Sequence, residues 1–508
     1  MEAYMRFEPR TRGTLRADIT ASLVVFLVAV PLCVGVAVAS GVPAELGLIT
    51  GIVGGLVTGF LPGSSLQVSG PAAGLTVLVY EAVQAYGPEV LGVLVLLAGV
   101  LQLAMGALRL GRWFRAISVA VVQGMLAGIG LVLIAGQVYT LADEEAPGTG
   151  LGKLAGLPAL AGTVIGSATA ATAAAVGVGT IAVLVVWPRW KPVAKVLPAP
   201  LAAVALATAV TALLDLPVAR VQVQGLLDAV RPPEAEDFAM LASFGMAATV
   251  VAFALVASAE SLFSAAAVDR LHDGPRTQYD RELIAQGTGN AVCGVLGALP
   301  MTAVIVRSSA NVAAGARTKL SRVLHGVWLL LFAAALPAAL GVIPVAALAG
   351  VLMHAGWKLI PLRDLVPLWR EHRAEAVVLG VTAAAIFIVN MFEGVLIGLL
   401  LAVVKSAWEI SHVQIETDDA GHGRPLRVRV LGNATFLRLP KLLDQLEALP
   451  QDRRVELSLA GLRHVDHACG MALSAWEEEH NARAGAAAPS PSSQQPPEHP
   501  AGAGRAQG

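Results

Sequence analysis

Two stretches of the chain hold residues whose types and spacing could do chemistry: SLQVSGPAAGLTVLV, 65–79, and MTAVIVRSSANVAAGARTK, 301–319. Each is rich in small residues and hydroxyls. The apolar part of each is too short to cross a bilayer as one helix. They sit at corresponding places in the two halves of the chain, and such a pair of interrupted apolar segments points to a binding site near the bilayer midplane. A helix start carries roughly +0.5 charge and unsatisfied N–H groups. Two starts aimed at one spot would hold an anion with backbone alone. Gly70, Ala72, Ala73 and Gly74 keep the first backbone accessible, and Ser69 and Ser308 could add hydroxyl donors. Pro71 is tolerated near a helix start, where its missing N–H costs little. The competing reading of such stretches is a small-residue face for helix packing.

Arg307 would open the second interrupted helix. An Arg at bilayer depth costs about 2.5–3.5 kcal/mol on insertion scales, so it needs a partner or a function, and its planar fork suits oxyanions. Snorkelling from the helix end is the alternative. Glu260, in ALVASAESLFSAA, is the only carboxylate between Asp237 and Asp269. It would either bind a proton or a cation, or serve as the counter-ion of Arg307. His354 reads as a packed residue, Gln123, Gln137 and Asn390 as interhelical hydrogen-bonders, and Glu393 as solvated.

These residues need a scaffold, and the composition supplies one. Of 508 residues, 56% are hydrophobic and 14% charged, with a mean hydropathy of +0.69. Apolar windows of about 20 residues recur from Leu15 to Trp408, the length that crosses ~30 Å of hydrocarbon. The runs are continuous and not alternating, which excludes a β-barrel. The chain reads as a polytopic α-helical membrane protein with about fourteen segments. Their expected bounds are about 16–40, 44–61, 70–82, 88–108, 115–138, 161–187, 197–214, 247–268, 283–298, 307–315, 320–341, 342–357, 374–390 and 392–410. The two short pieces are third in each set of seven, as an inverted repeat would place them. The N-terminal Arg residues and apolar run resemble a signal peptide, but the run is too long and contains Pro31, so a retained first helix is expected.

Loop charge sets orientation. Alternate loops hold sixteen Lys and Arg, against three (Lys153, Arg220 and Arg231) on the other side. Both termini are therefore expected in the cytoplasm. Trp113, Trp187, Trp190, Trp357, Trp369 and Trp408 lie near segment ends, as interface anchors do. Cys33, Cys293 and Cys469 have no metal or redox spacing and read as packing residues. No metal cluster, P-loop or nucleophile elbow stands out, so no enzyme, no cofactor, no metal and no nucleic-acid partner is expected.

After Trp408 the composition changes. LRVRVLG and RVELSLAG alternate as strands do. LPKLLDQLEALP and ACGMALSAWEEEH read as amphipathic helices. From Gly485 the chain is mostly Ala, Pro, Ser, Gln and Gly, and disorder is expected. The expected domains are a cytoplasmic N-terminus at 1–14, a membrane domain at 15–411, a small α/β domain at 412–484 and a tail at 485–508.

The first segment with Pro31, SGPAAG, RSSANVAAGART and the trailing α/β domain together resemble the sulfate permease (SulP) family over about residues 12–480. The resemblance implies a seven-plus-seven inverted repeat divided into core and gate domains, with the anion between the starts of segments 3 and 10. It implies substrate binding by Gly70, Pro71, Ala72, Ala73, Arg307 and Ser308. It places a coupling site for Na+ or H+ at Glu260, with Ser264 as the hydroxyl one turn later. The expected activity is secondary transport of bicarbonate or sulfate by elevator-like alternating access, in a homodimer of the bacterial inner membrane. A dicarboxylate transporter, or an uncoupled exchanger or channel, is the alternative, and Arg307 argues against a nucleobase permease. The C-terminal region resembles a STAS domain. It has Asp466-His467-Ala468 where many such domains have Asp-Ser-Ser, which argues against phosphorylation there.

Overall fold

The computed structural model describes residues 12–112, 118–190, 193, 197–223, 225–238, 243–335, 338–419 and 424–487. The expected N-terminal segment up to residue 11, Trp113 and the tail beyond residue 487 lie outside the described residues. The chain divides into two compact units, Met1–Leu400 and Leu401–Gly508.

The first unit opens with α1 (Arg12–Ala39), which passes through Pro31 without a break, and α2 (Ala44–Val53), which continues as a π turn over Gly54–Thr58. A three-residue strand β1 (Ser69–Pro71) follows, then a 3-10 turn over Ala73–Leu75 and α3 (Thr76–Tyr86). Next come α4 (Leu91–Ala107), α5 (Val119–Thr140), α6 (Gly150–Ala155), α7 (Leu157–Gly166), α8 (Ala168–Val186) and α9 (Ala199–Leu213). The second half begins with α10 (Phe244–Val268) and α11 (Tyr279–Val295), then β2 (Met301–Ala303) and α12 (Ile305–Ala313). It ends with α13 (Leu320–Ala335), α14 (Ala338–Gly341), α15 (Val345–Leu359), α16 (Leu362–Glu371), α17 (Arg373–Ile388) and α18 (Met391–Ile410). Among the described residues five helical stretches are long and apolar enough to span a membrane, and five shorter apolar helices accompany them.

The expected segment at 161–187 is broken at Ser167, whose hydroxyl caps α8 by accepting from Ala170 N at 3.3 Å. The amphipathic α16 was not expected at all. It has no fully buried residue and carries its charges on one side, as an interfacial helix does.

Two local features fix the frame around the site. Helices α4 and α11 touch along glycines: a Cβ on Gly99 would lie 2.4 Å from Ala291 N, and one on Gly294 would lie 2.3 Å from Leu96 N. Such close approach lets backbones pack without a hydrophobic drive between helices. The second feature is the antiparallel pair β1–β2, in register Ser69↔Ala303, Gly70↔Thr302 and Pro71↔Met301. A two-stranded ladder inside a membrane protein must satisfy its outer edges, and buried side chains do so. Asn290 accepts from Met301 N at 2.7 Å and donates to Met301 O at 3.1 Å. Ser261 Oγ accepts from Ala303 N at 3.2 Å, and Ser308 Oγ accepts from Val68 N at 2.9 Å. Gln102 ties Asn290 to Ser258 at 2.7 and 3.1 Å.

The second unit takes in the end of α18, from Leu401, and a sheet of β3 (Val413–Asp418), β4 (Leu426–Ala434) and β5 (Val455–Val465), with α19 (Leu439–Glu447) and α20 (His467–Ala487). The order is β3-β4-β5, antiparallel then parallel. Its core holds Val428, Val430, Leu446, Cys469 and Leu473. Strand β3 precedes the expected β-α-β-α pattern. Its sequence VQIETD alternates only over Val413–Glu416, with Val413 and Ile415 packed on the core, and is too short to stand out by alternation alone.

Candidate functional site

A cavity of about 220 Å³ lies where the two interrupted helices begin. One wall is the turn Pro71, Ala73 and Gly74 that leads into α3, and the facing wall is Val304 to Arg307 at the start of α12. Glu260 and Ser264 of α10 close a third side, and His354 and Lys358 of α15 a fourth.

Neither helix start has a side-chain cap: Ala72 and Val304 stand at the cap positions without a capping hydrogen bond. The first-turn N–H groups there lack intrahelical partners, so the partial positive charge of both starts reaches the cavity. Arg307 is 1% exposed. Its Nη2 donates to Pro71 O at 3.4 Å, while Nε and Nη1 make no hydrogen bond among the described residues. A Cβ on Gly70 would lie 2.1 Å from Nη1, so the missing side chain of Gly70 is the space the guanidinium fills. A burial this costly without a paired carboxylate is what an anion-binding cation requires.

No ion pair joins Arg307 to Glu260 among the described residues. Glu260 Oε2 is buried with no geometric hydrogen bond among the described residues, and the carboxylate rests against Gly74, where a Cβ would lie 2.8–3.0 Å from it. The counter-ion reading of Glu260 is therefore corrected: the carboxylate faces the first helix start. Ser264 lies on the same helix one turn on and lines the cavity.

The structure brings together Pro71, Ala73, Arg307, Glu260 and Ser264 on the cavity wall. Gly70 and Ala72 stand behind it, Gly70 in the ladder and Ala72 1% exposed. Ser308 departs from expectation. Its hydroxyl accepts from Val68 N and donates to Val304 O at 2.7 Å, so it holds the strand and does not face a ligand. Ser69 is likewise committed, accepting from Gln286 Nε2 at 2.7 Å. His354, expected as packing, is half-buried on the cavity wall one turn from Lys358. Asn390 accepts from Glu393 N at 2.9 Å and so serves the start of α18.

Sequence reasoning missed the residues that hold the ladder, Gln102, Ser258, Ser261 and Asn290, and those beside it, Gln67, which donates to Ser261 O at 2.8 Å, and Asn311, which donates to Leu66 O at 2.9 Å. The signal was there, since each is a polar residue in or beside an apolar segment. A second cavity, about 230 Å³, lies beyond α3 and is lined by Thr76, Glu81, Gln137 and Lys153. In the buried cluster Val36, Leu133 and Leu352, with Ala73 and Ala39 against it, Val36 and Ala73 line the first cavity and Leu133 and Ala39 the second.

The architecture and this site define a polytopic helical membrane protein with two discontinuous helices meeting at one cavity. The chain belongs to the sulfate permease family, whose model matches residues 15–382. It is 26% identical over 377 residues to the bicarbonate transporter BicA of Picosynechococcus sp., covering 70% of this chain and 63% of that protein. It is 28% identical over 352 residues to the putative sulfate transporter YvdB of Bacillus subtilis, covering 67% of this chain and 64% of the relative. The chain thus spans just under two thirds of the length of these relatives. Among solved structures it is similar to the transmembrane domain of a cyanobacterial bicarbonate transporter BicA, with TM-score 0.64 at 22% identity over 77% of this chain and 97% of that one. It is also similar to the murine Solute Carrier 26 family member A9 anion transporter in the inward-facing state, with TM-score 0.76 at 15% identity over 93% and 85%. At these identities the likeness is one of fold.

Proposed function

We propose that the protein moves a small oxyanion, bicarbonate or sulfate, across the membrane by elevator-like alternating access coupled to Na+ or H+. The observation that carries the reading is the convergence of two uncapped helix starts and a buried, incompletely partnered Arg307 on one cavity. The names of the relatives, bicarbonate and sulfate transporters, agree with it. Alternating access is supported by the buried apolar cluster of Val36, Leu133 and Leu352, which with Ala73 and Ala39 reaches both cavities. Opening it requires the elements carrying Leu133 and Leu352 to move against those carrying Val36 and Ala73.

Coupling rests on Glu260 and Ser264. A carboxylate without a protein cation beside it is free to take a proton or Na+, and neutralising it there would favour an anion next to the same helix start. Location in a bacterial inner membrane with both ends in the cytoplasm follows the loop-charge asymmetry. A homodimer follows the family resemblance.

The test is uptake of labelled bicarbonate, sulfate and fumarate by proteoliposomes, with Na+ or proton gradients imposed in turn. The reading expects uptake of one inorganic oxyanion, accelerated by one gradient. Fumarate as the sole substrate would move the assignment to a dicarboxylate carrier. Uptake indifferent to both gradients would remove coupling. Glu260→Gln should retain anion binding and lose the gradient response; gradient-driven uptake at the wild-type rate would make Glu260 structural.

A further inference from the structure

A third cavity, about 110 Å³, lies in the second unit, directly after the last turn of α18. Ser411, His412, Arg438, Lys441 and Gln445 line it, and no carboxylate does. Arg438, Lys441 and Gln445 are spaced so that one face of α19 carries all three. Arg438 is held in place. Its Nε donates to Ser411 O at 3.0 Å, and its guanidinium stands 4.2 Å from the centre of the Trp408 ring. Ser411 Oγ is spent on Ala407 O at 2.7 Å and Thr435 Oγ1 at 2.6 Å. That leaves the two terminal nitrogens of Arg438 and the ammonium of Lys441 without protein partners among the described residues. The start of α19 has no side-chain cap either.

Trp408 gives the pocket its depth. Val403, Val404 and Trp408 expose apolar surface along the end of α18, and Trp settles at the headgroup level of a bilayer. The cationic pocket that follows it within one turn is therefore level with lipid phosphates. A positioned guanidinium and an ammonium around a small polar cavity suit a phosphate oxyanion, the guanidinium through paired N–H bonds and Lys as a point charge.

We infer that this pocket binds a phosphate group, brought by an anionic lipid headgroup or by a soluble phosphate, and that Arg438 and Lys441 hold it. The site is separate from the transport cavity and stands whether or not the transport reading does.

The test uses the full-length protein in non-ionic detergent, titrated with dioctanoyl phosphatidate, dioctanoyl phosphatidylcholine and inorganic phosphate. Phosphatidate is expected to bind, and Lys441→Gln to weaken it about tenfold, the loss of one charge-assisted contact. Gln445→Glu puts a negative charge into the pocket without disturbing the Arg438–Trp408 stack, and should weaken binding by a similar factor. Arg307→Ala should leave this binding unchanged, which separates it from occupation of the transport cavity. Binding of phosphatidate but not inorganic phosphate assigns the lipid source. Binding of both, with the same loss in Lys441→Gln, assigns the phosphate group itself. Inorganic phosphate alone, lost in the same variants, assigns the soluble source. Absence of binding by phosphatidate and phosphate, equal binding of phosphatidylcholine, or variants that bind as the wild type would overturn the inference.

Discussion

The starts of α3 and α12 face the same cavity and belong to corresponding places in the two halves of the chain, yet they contribute differently. The first offers backbone only: Pro71, Ala73 and Gly74, with Gly70 behind them. The second brings a charge, Arg307, and spends its hydroxyl, Ser308, on the neighbouring strand. Each glycine of the first start makes room for a charged group from elsewhere. Gly70 admits the Arg307 guanidinium and Gly74 the Glu260 carboxylate. The bare start is thus a mould for a cation on one side and an anion on the other. The charged start supplies one of the two. The two helix starts meet at one cavity, and the differences between them make the site polar.

This comparison can be broken at the first start. Gly70→Ala puts a methyl where Nη1 lies, and the atom that must yield is the end of a flexible side chain. The fold should survive while Arg307 leaves its position. The expected result is roughly a tenfold loss of anion affinity, the size of one charge-assisted contact, read by anion titration of the purified protein. Normal affinity would separate Gly70 from the arginine's placement.

Gly74→Ala acts on the other charge. Displacing the Glu260 carboxylate should lower gradient-driven uptake several-fold, on the order of 1 kcal/mol by the usual rate arithmetic, with a smaller change in anion affinity. Equal losses of affinity in the two alanine variants would erase the distinction between the two glycines.

Ser308→Ala sharpens the contrast at the second start. It leaves buried Val68 N without its acceptor, which costs about 1–3 kcal/mol of stability. Thermal unfolding in detergent should fall while anion affinity stays at the wild-type value. A loss of affinity without a loss of stability would return Ser308 to the ligand set.

The smallest effect lies outside the membrane domain, at the start of α20. Asp466 accepts from Cys469 N at 2.8 Å and from Phe436 N at 2.5 Å, and the Cys469 contact first, then Phe436, holds its carboxyl below the usual range. A depressed carboxyl stabilises the fold above its unfolded-state pKa, about 3.9, and loses that contribution as pH falls through the folded-state value. Protection of the amides of residues 467–470, taken relative to the intrinsic exchange rate at each pH, should be high at neutral pH, lower in Asp466→Asn, and lower in the wild type only in acid. Unchanged exchange in the variant would deny the cap.

Much of the site was legible because membrane physics leaves little choice. A stretch too short to span and rich in small residues and hydroxyls cannot be an ordinary transmembrane helix, and 65–79 and 301–319 stand out for that reason, the second also for its buried Arg307. What the sequence hid was direction. Whether Ser308 looks into the cavity or back at Val68 depends on how β1 and β2 pair across more than two hundred residues, and no local pattern encodes that pairing. Glu260 had two open partners for the same reason. Among the elements, the break at Ser167 was masked because alanine and valine run on both sides of it. β3 was masked because its alternation, Val413 to Glu416, is only four residues long and gives way to the polar Thr417 and Asp418. The polar residues that hold the ladder, Gln102 and Asn290 above all, were visible as exceptions in apolar segments, and only the fold showed what they bind.

The central claim is that the anion sits at the two helix starts with Arg307 supplying the charge. Titration of the purified full-length protein and of Arg307→Ala with bicarbonate and with sulfate tests it most directly. The account predicts that the variant, folded as judged by its thermal unfolding, binds the transported anion about tenfold or more weakly. A correctly folded variant with wild-type affinity for both anions would contradict it.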